Sequence, residues 1–211
     1  MGLPQAKDLV VLVPCLDIQE SVDALLRRIE GLRMRPISWL IARHRFRESG
    51  VFRQCHEFLR PFQRSARYAL VVCDREGCRR PSDTRENLEE DIERRLRQNG
   101  WADRSVAVVI DPELEAWFWS DSPQVRHVLG WSARFGNINA WLAQEGYLLP
   151  GQRKPARPKE AVEKALCRTG RRRSSSLYRE LAEHAAFETC AAPAFAKFKS
   201  VLRTWFPRQP S

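Results

Sequence analysis

Four short apolar runs, "DLVVLVP" (8–14), "ISWLIA" (37–42), "YALVVC" (68–73) and "SVAVVI" (105–110), constrain this chain more than any other feature. Alternate side chains of a strand point to opposite faces, so an unbroken apolar run predicts a strand buried on both sides. The stretches between the runs have helical periodicity. Ile18, Val22, Leu25, Leu26 and Ile29 recur at helical spacing with Gly31 following as the stop, and "VFRQCHEFLRPF" (51–62) reads as helix up to Pro61. Asp83 and Glu86 make a capping-box pattern that opens a charged helix with the stripe Leu88, Ile92 and Leu96. Parallel strands need such crossovers. The alternation therefore predicts an α/β fold with a mostly parallel four-stranded sheet flanked by helices.

The strand signal ends at Asp121, so the division predicted is an α/β unit over 1–121 and a helical part over 122–211 packed on it. Helical segments are predicted within 137–151, around "KEAVEKALCR", at "LYRELAEHAA", and last on a face formed by Phe195, Phe198, Leu202 and Trp205. Charge divides at the same place. Residues 1–121 hold 20 Lys/Arg and 20 Asp/Glu; residues 122–211 hold 16 and 6, and 16 − 6 gives the whole net charge of +10. A cationic half of this kind suits a polyanion, most often nucleic acid, although solubilising charge alone produces the same count. The cations Lys154, Arg157 and Lys159 lie in a proline-punctuated segment and Arg171, Arg172 and Arg173 in a serine-flanked one. Exposed backbone there would leave them free to meet phosphates.

Other classes are disfavoured. No apolar stretch approaches the ~20 residues of a membrane span. The first residues read as the approach to a strand, without a cleavage site or a myristoylation pattern. The six cysteines show no C-x-x-C pair, which argues against structural zinc and a disulfide framework and favours a reduced, cytoplasmic setting. The four histidines form no metal-spaced pair.

Ligands of open parallel sheets bind outside the carboxyl ends of the strands. The first strand exits into Asp17, the second into Arg43, His44 and Arg45, the third into Asp74, Arg75 and Glu76, and the fourth into Asp111, Glu113 and Glu115. Convergent carboxylates would suit Mg²⁺ or Mn²⁺, hard ions that prefer oxygen and can activate water toward a phosphodiester. Arg43 and Arg45 could hold phosphate oxygens. Each element also has a structural explanation. Asp74 and Glu76 can simply open a turn before Gly77, and Asp111 before Pro112 makes a good N-cap with Glu113 favoured by the helix dipole.

"VVCDREGC" resembles the D-x-D-R-E-G segment of Toprim domains, found in type IA topoisomerases, primases and overcoming-lysogenization-defect nucleases. "VVIDPELEAWFWSD" resembles a P-E-x-E-A-W block of bacterial Toprim-like proteins. Over nearly the whole chain, "DLVVLVP", "HEFLRPF", "ALVVCDREGC", "IDPELEAWFWSDSP", "KPARPKEA" and "AFAKFK" resemble the family formed by the fourth component of the bacterial methylation-associated defence system. The resemblance implies a Toprim-like fold and an anti-phage role beside other proteins of the same system. The chain departs from the Toprim pattern at Pro14, which stands where an acid follows the first strand, so Asp17 is the candidate base. If Arg75-Glu76-Gly77 is aligned on R-E-G, Val72 falls on the first acid; if Asp74 is the first acid, Glu76 is the second.

Two functions remain open. One is a Mg²⁺-dependent nuclease or nuclease-like subunit, with Asp74, Glu76 and Glu115 on the metal and Asp17, Glu76 and Glu113 as catalytic candidates. The other is a non-catalytic adaptor or sensor that binds nucleic acid or a partner protein through its basic tail. In the first the carboxyl groups share one locus; in the second they diverge or are neutralised by neighbouring cations.

Overall fold

Among the described residues every strand is hydrogen-bonded to its neighbours in parallel, so each return is made by a crossover on one face of the sheet. The computed structural model describes residues 6–120, 122–152, 154–184, 190 and 192–208. The chain runs β1 (Lys7–Val13), α1 (Leu16–Arg27), α2 (Ile29–Leu32), β2 (Trp39–Arg43), α3 (Arg47–Leu59), β3 (Ala66–Asp74), α4 (Arg85–Leu96) and β4 (Ser105–Ile110). Helices follow: α5 (Glu115–Phe118), α6 (Pro123–Val128), α7 (Ile138–Gln144), α8 (Pro158–Thr169), α9 (Ser175–Glu183) and α10 (Pro193–Trp205). The fold is thus α/β with a four-stranded, all-parallel sheet flanked by helices, an arrangement consistent with a Toprim-like core. Asp121 at the division of the chain, Arg153 in the basic connector and residues 185–186 of the "LYRELAEHAA" segment lie outside the described residues.

The strand order is β2-β1-β3-β4. Period-2 alternation sorts the apolar runs onto two cores. Leu9, Val11, Val13, Leu70, Val72, Val108 and Ile110 face one side, where α1 and the C-terminal helices bring Leu25, Tyr178, Phe195 and Phe198. Val10, Leu12, Ala69, Val71, Cys73, Ala107 and Val109 face the other, against Val51, Leu88, Ile92 and Trp101. The helices after β4 therefore share one continuous apolar core with the sheet and α1. Among the described residues no helix is long and apolar enough to cross a membrane.

An edge strand carries a row of unpaired backbone groups. At β4 they are taken by α4: Val109 N–H donates to Glu89 Oε1 at 2.9 Å and Ala107 N–H to Glu93 Oε1 at 3.0 Å. The carboxylates are held in turn by Lys197 of α10, at 3.1 and 2.9 Å, and Glu89 is held also by Arg85 at 2.9 Å. The helix read in sequence as charged, with a single apolar stripe, is also the cap of a sheet edge.

Three local expectations change. Thr84, not Asp83, caps α4, accepting from Asn87 N–H at 3.2 Å, while Asp83 pairs with Arg80. Asp111 does not cap a helix: its peptide bond to Pro112 is cis, its carboxylate pairs with Arg75 at 3.3 Å, and the helix starts at Glu115. Gly31 lies inside α2 instead of ending α1, which stops at Arg27.

Removing the Glu89 carboxylate leaves the buried Val109 N–H without its acceptor and takes one of their partners from Arg85 and Lys197. Glu89→Ala is expected to lower unfolding free energy by about 3 kcal/mol, and Glu89→Gln, which keeps an acceptor, by clearly less. Urea denaturation followed by circular dichroism checks the order of the two losses.

Candidate functional site

The sheet order reverses between β1 and β3, since β1 leads to β2 on one side while β3 and β4 continue on the other. The crevice beyond the carboxyl ends of such a switch point is where open α/β sheets hold ligands. β3 outruns its neighbour there. The last β1–β3 pair is Leu12 with Val71, and β3 continues through Cys73 to Asp74, which stands opposite Ile110 of β4. A cavity of about 180 Å³ lies at this point.

Each wall comes from a different strand exit. Cys15 and Asp17, at the start of α1, follow β1, and Arg47 and Glu48, at the start of α3, follow β2. Asp74 ends β3, and Leu114 and Glu115 follow β4. Lys159 of α8 and Arg173, just before α9, complete the lining from the C-terminal half. Glycine makes the close packing possible. A Cβ on Gly77 would stand 2.2 Å from Glu48 Cγ, so only glycine lets that side chain run past the β3 exit. A Cβ on Gly50 would meet the His44 ring at 2.0 Å, and His44 Nδ1 in turn accepts from Phe46 N–H at 3.2 Å. His44 thus shapes the β2 exit.

Asp74 is the electrostatic centre. Its Oδ1 is sealed from solvent and has no hydrogen-bond partner among the described residues. Burial, reinforced by Glu115, Glu113 and Glu48 and only partly offset by Lys159, holds its carboxyl well above the ordinary carboxylate range. Glu115, 3% exposed, is raised by burial even though Tyr178 donates to its Oε1 at 2.5 Å. Glu113 lies just behind the lining. Burial and the neighbouring carboxyl of Glu76 raise it, against Lys159 Nζ at 2.9 Å. That bond raises Lys159. Burial pushes the Cys15 thiol up to about 11, with Asp74, Asp17 and Glu48 adding to the shift, so the thiol stays protonated.

The residues singled out in sequence separate into groups. Asp17, Asp74, Glu115, Lys159 and Arg173 line the cavity. Glu76 does not: it is exposed at the rim, because the chain turns into a short 3₁₀ segment straight after Arg75. Asp17 is already engaged through both oxygens, by Ser175 at 2.6 Å and Arg173 at 2.9 Å. Arg43 and Arg45 are exposed on the β2 side, with Arg45 4.5 Å from the Phe46 ring centroid. The tail cations are not uniformly free. Lys154 donates to Ala116 O at 2.5 Å, Arg157 pairs with Glu160 at 2.7 Å, and Arg171 holds Glu180 at 2.9 Å and His127 O at 3.2 Å. Arg172 is exposed and has no side-chain partner among the described residues. Glu48, Arg47 and Tyr178 went unread in sequence. Arg47 and Glu48 follow the β2 exit directly, just past Arg45 and Phe46, but Tyr178 carries no local signal because it arrives from α9.

Aspartate and glutamate oxygens are the donor chemistry a hard divalent cation requires. Among the described residues, however, no three histidine, cysteine, aspartate or glutamate side chains stand together as a ready metal site. The acids already have partners: Glu113 is held by Lys159, Glu115 by Tyr178, and Asp17 by Arg173 and Ser175. No protein-family model, curated protein or solved structure matches the chain.

The raised Asp74 carboxyl has a definite linkage sign. From the ordinary value of 3.8 upward to its folded value, the native state binds the extra proton, so stability falls as pH rises. Asp74→Asn removes that contribution. The wild type is expected to lose up to about 1 kcal/mol more per pH unit than the variant in this window, measured by urea unfolding at several pH values. Parallel curves would mean that Asp74 is solvated.

Proposed function

We propose that this chain is a Mg²⁺-dependent Toprim-like nuclease, or nuclease-like subunit, that acts on nucleic acid in bacterial anti-phage defence, in the cytoplasm and beside other proteins of the same system. The observation that carries the reading is the Asp74 carboxyl, whose sealed Oδ1 has no hydrogen-bond partner among the described residues, facing Glu115 and Glu48 in a polar cavity at the sheet's switch point. A buried carboxyl without a partner is costly unless it is protonated or meets a cation. Asp74 and Glu115 are the first candidates to hold a divalent ion, and Glu48 takes the place that sequence gave to Glu76. Such an ion supplies Lewis acidity and charge compensation toward a phosphodiester. Asp17 fixes Arg173 at the mouth, which makes it a positioning residue rather than the base.

A cleavage assay tests this reading. With Mg²⁺ or Mn²⁺ present, Asp74→Asn and Glu115→Gln are expected to reduce cleavage of DNA or RNA at least about a hundredfold, on the scale of losing a charge-stabilising group. The same variants should lose phage protection while keeping their far-ultraviolet circular dichroism. Protection undiminished in both variants would remove the metal site from consideration.

The second reading, a non-catalytic adaptor, draws on the pairing of Lys159 and Arg173 with the site's acids. The adaptor binds nucleic acid or a partner protein, and for nucleic-acid contact in either reading Arg43, Arg45 and Arg172 are exposed cations without an ion pair among the described residues. Changing these three to Gln is expected to lower the slope of log affinity against log salt by ~0.9 for each phosphate of duplex DNA that is no longer neutralised. Fluorescence anisotropy reads the slope. A wild type that binds neither duplex nor single strand at low salt would leave a protein partner as the adaptor's target.

A further inference from the structure

The two edges of the sheet differ in what covers them. At β4 the outward N–H groups of Ala107 and Val109 are taken by Glu93 and Glu89 of α4. β2 is the other edge, and no hydrogen bond among the described residues reaches the outer side of its backbone. The ladder to β1 fixes which groups lie there. Leu9 N–H donates to Ser38 O at 3.1 Å and His44 N–H to Val13 O at 3.0 Å, in a register that sets Leu9 beside Trp39 and Val13 beside Arg43. Backbone groups alternate in direction along a strand, so Ser38, Leu40, Ala42 and His44 turn theirs toward β1. Trp39, Ile41 and Arg43 turn theirs outward. Proline, lysine and bulges blunt exposed edges, and β2 has none of them. Leu40 on the strand is 41% exposed, and Phe46, three residues past its end, is 51% exposed.

These outward residues form a set that complements itself. Two copies of β2 related by a twofold axis at Ile41 run antiparallel. Ile41 then opposes the partner's Ile41, and Trp39 opposes the partner's Arg43. Each opposed pair exchanges both of its backbone bonds, so every outward N–H and C=O of residues 39, 41 and 43 finds a partner. The side chains agree with this register. Trp39, Ile41 and Arg43 share the sheet face on which α1 packs, and Trp39 Nε1 donates there to Asp23 Oδ1 at 2.9 Å. Arg43 is exposed and has no ion pair among the described residues. Antiparallel pairing brings that guanidinium to an indole ring backed by a carboxylate. On the opposite face Leu40 meets the partner's Ala42, large against small. Axes at Trp39 or at Arg43 would instead oppose arginines, Arg35 to Arg43 or Arg43 to itself, which is destabilising.

We infer that this chain forms a twofold dimer through the β2 edge, joining two four-stranded sheets in the order β4-β3-β1-β2-β2-β1-β3-β4. The occupant is a second copy because the edge answers its own backbone and side chains in one register, as an isologous contact requires. The inference is independent of what the acidic mouth binds. Strands of the two halves point in opposite directions, so the two mouths open at opposite ends of the joined sheet. Arg43 then serves the partner, and the phosphate contacts proposed above fall to Arg45 and Arg172.

Sedimentation velocity of the intact chain over a concentration series tests this. The wild type is expected to sediment as a dimer with a dissociation constant of about 1 μM, in keeping with a small interface. Ile41→Pro removes only an outward N–H, at an edge position that accepts proline, and is expected to be a monomer with unchanged circular dichroism. Leu40→Lys alters a side chain that is already exposed, and Arg43→Glu sets a carboxylate beside the partner's Asp23. Each should raise the dissociation constant at least about tenfold, because every change occurs twice across the axis. Ile41→Cys should form a 41–41 disulfide on mild oxidation, identified by peptide mass spectrometry, since opposed Cα atoms of a bonded pair lie about 5.5 Å apart. A wild type that stays monomeric at about 100 μM overturns the inference. So does a dimer that survives Ile41→Pro, a dimer of Ile41→Cys without the 41–41 link, or undiminished dimerisation of both Leu40→Lys and Arg43→Glu.

Discussion

A carboxyl sealed at the end of a parallel strand sets the terms for its surroundings. Asp74 ends β3 beyond Val71, the last residue of that strand to pair with β1, so its side chain enters the crevice where the sheet changes direction. The neighbours Glu115, Glu113 and Glu48 raise the cost of ionising it. A cluster of this kind persists in a folded protein only if protons or cations compensate it. Burial holds the Asp74 carboxyl well above the ordinary range, and Lys159 and Arg173 reach in from other elements. The need for those two cations gives the C-terminal helices a reason to sit where they do.

That placement is secured by packing rather than by charge. Tyr178, Phe195, Phe198 and Phe206 are fully buried in the core that α1 and one sheet face also line. Trp117 contacts both phenylalanine rings of α10, at centroid distances of 5.1 and 5.4 Å, which ties the segment after β4 to the last helix. Lys197, next to Phe198 in the chain, closes the β4 edge through Glu89 and Glu93. The same helix therefore buries aromatic surface and completes the sheet's polar accounting. Because α9 is fixed by Tyr178 and Leu181, Arg173 at its start is held at the mouth with little freedom to wander.

The exposed cations differ from the cavity cations. Arg43, Arg45 and Arg172 have no ion pair among the described residues, whereas Lys154 and Arg171 serve backbone carbonyls. The net charge of +10 is thus not a uniform polyanion surface. Part of it holds the C-terminal half together, part balances acids donated by the N-terminal half, and part remains free on the surface.

The sheet and the strand mouths were legible from residue order alone. Unbroken aliphatic runs favour a doubly covered strand, as in β1, β3 and β4, although the edge strand β2 leaves Leu40 exposed, and the residues after each run emerge at the same end of a parallel sheet. Asp17, Asp74 and Glu115 could be read for that reason. Residue order could not say which side chains those acids meet. Glu76 looked equivalent to Asp74, yet a 3₁₀ turn carries it to the rim, while Glu48 enters because Gly77 leaves room for it. Lys159 and Arg173 looked like free tail cations, indistinguishable in composition from Arg172. Only the docking of α8 and α9 on the sheet face separates them. Tyr178 meets Glu115 across 63 residues and Arg173 meets Asp17 across 156, and partners so distant are chosen by tertiary packing, which leaves no mark in local spacing.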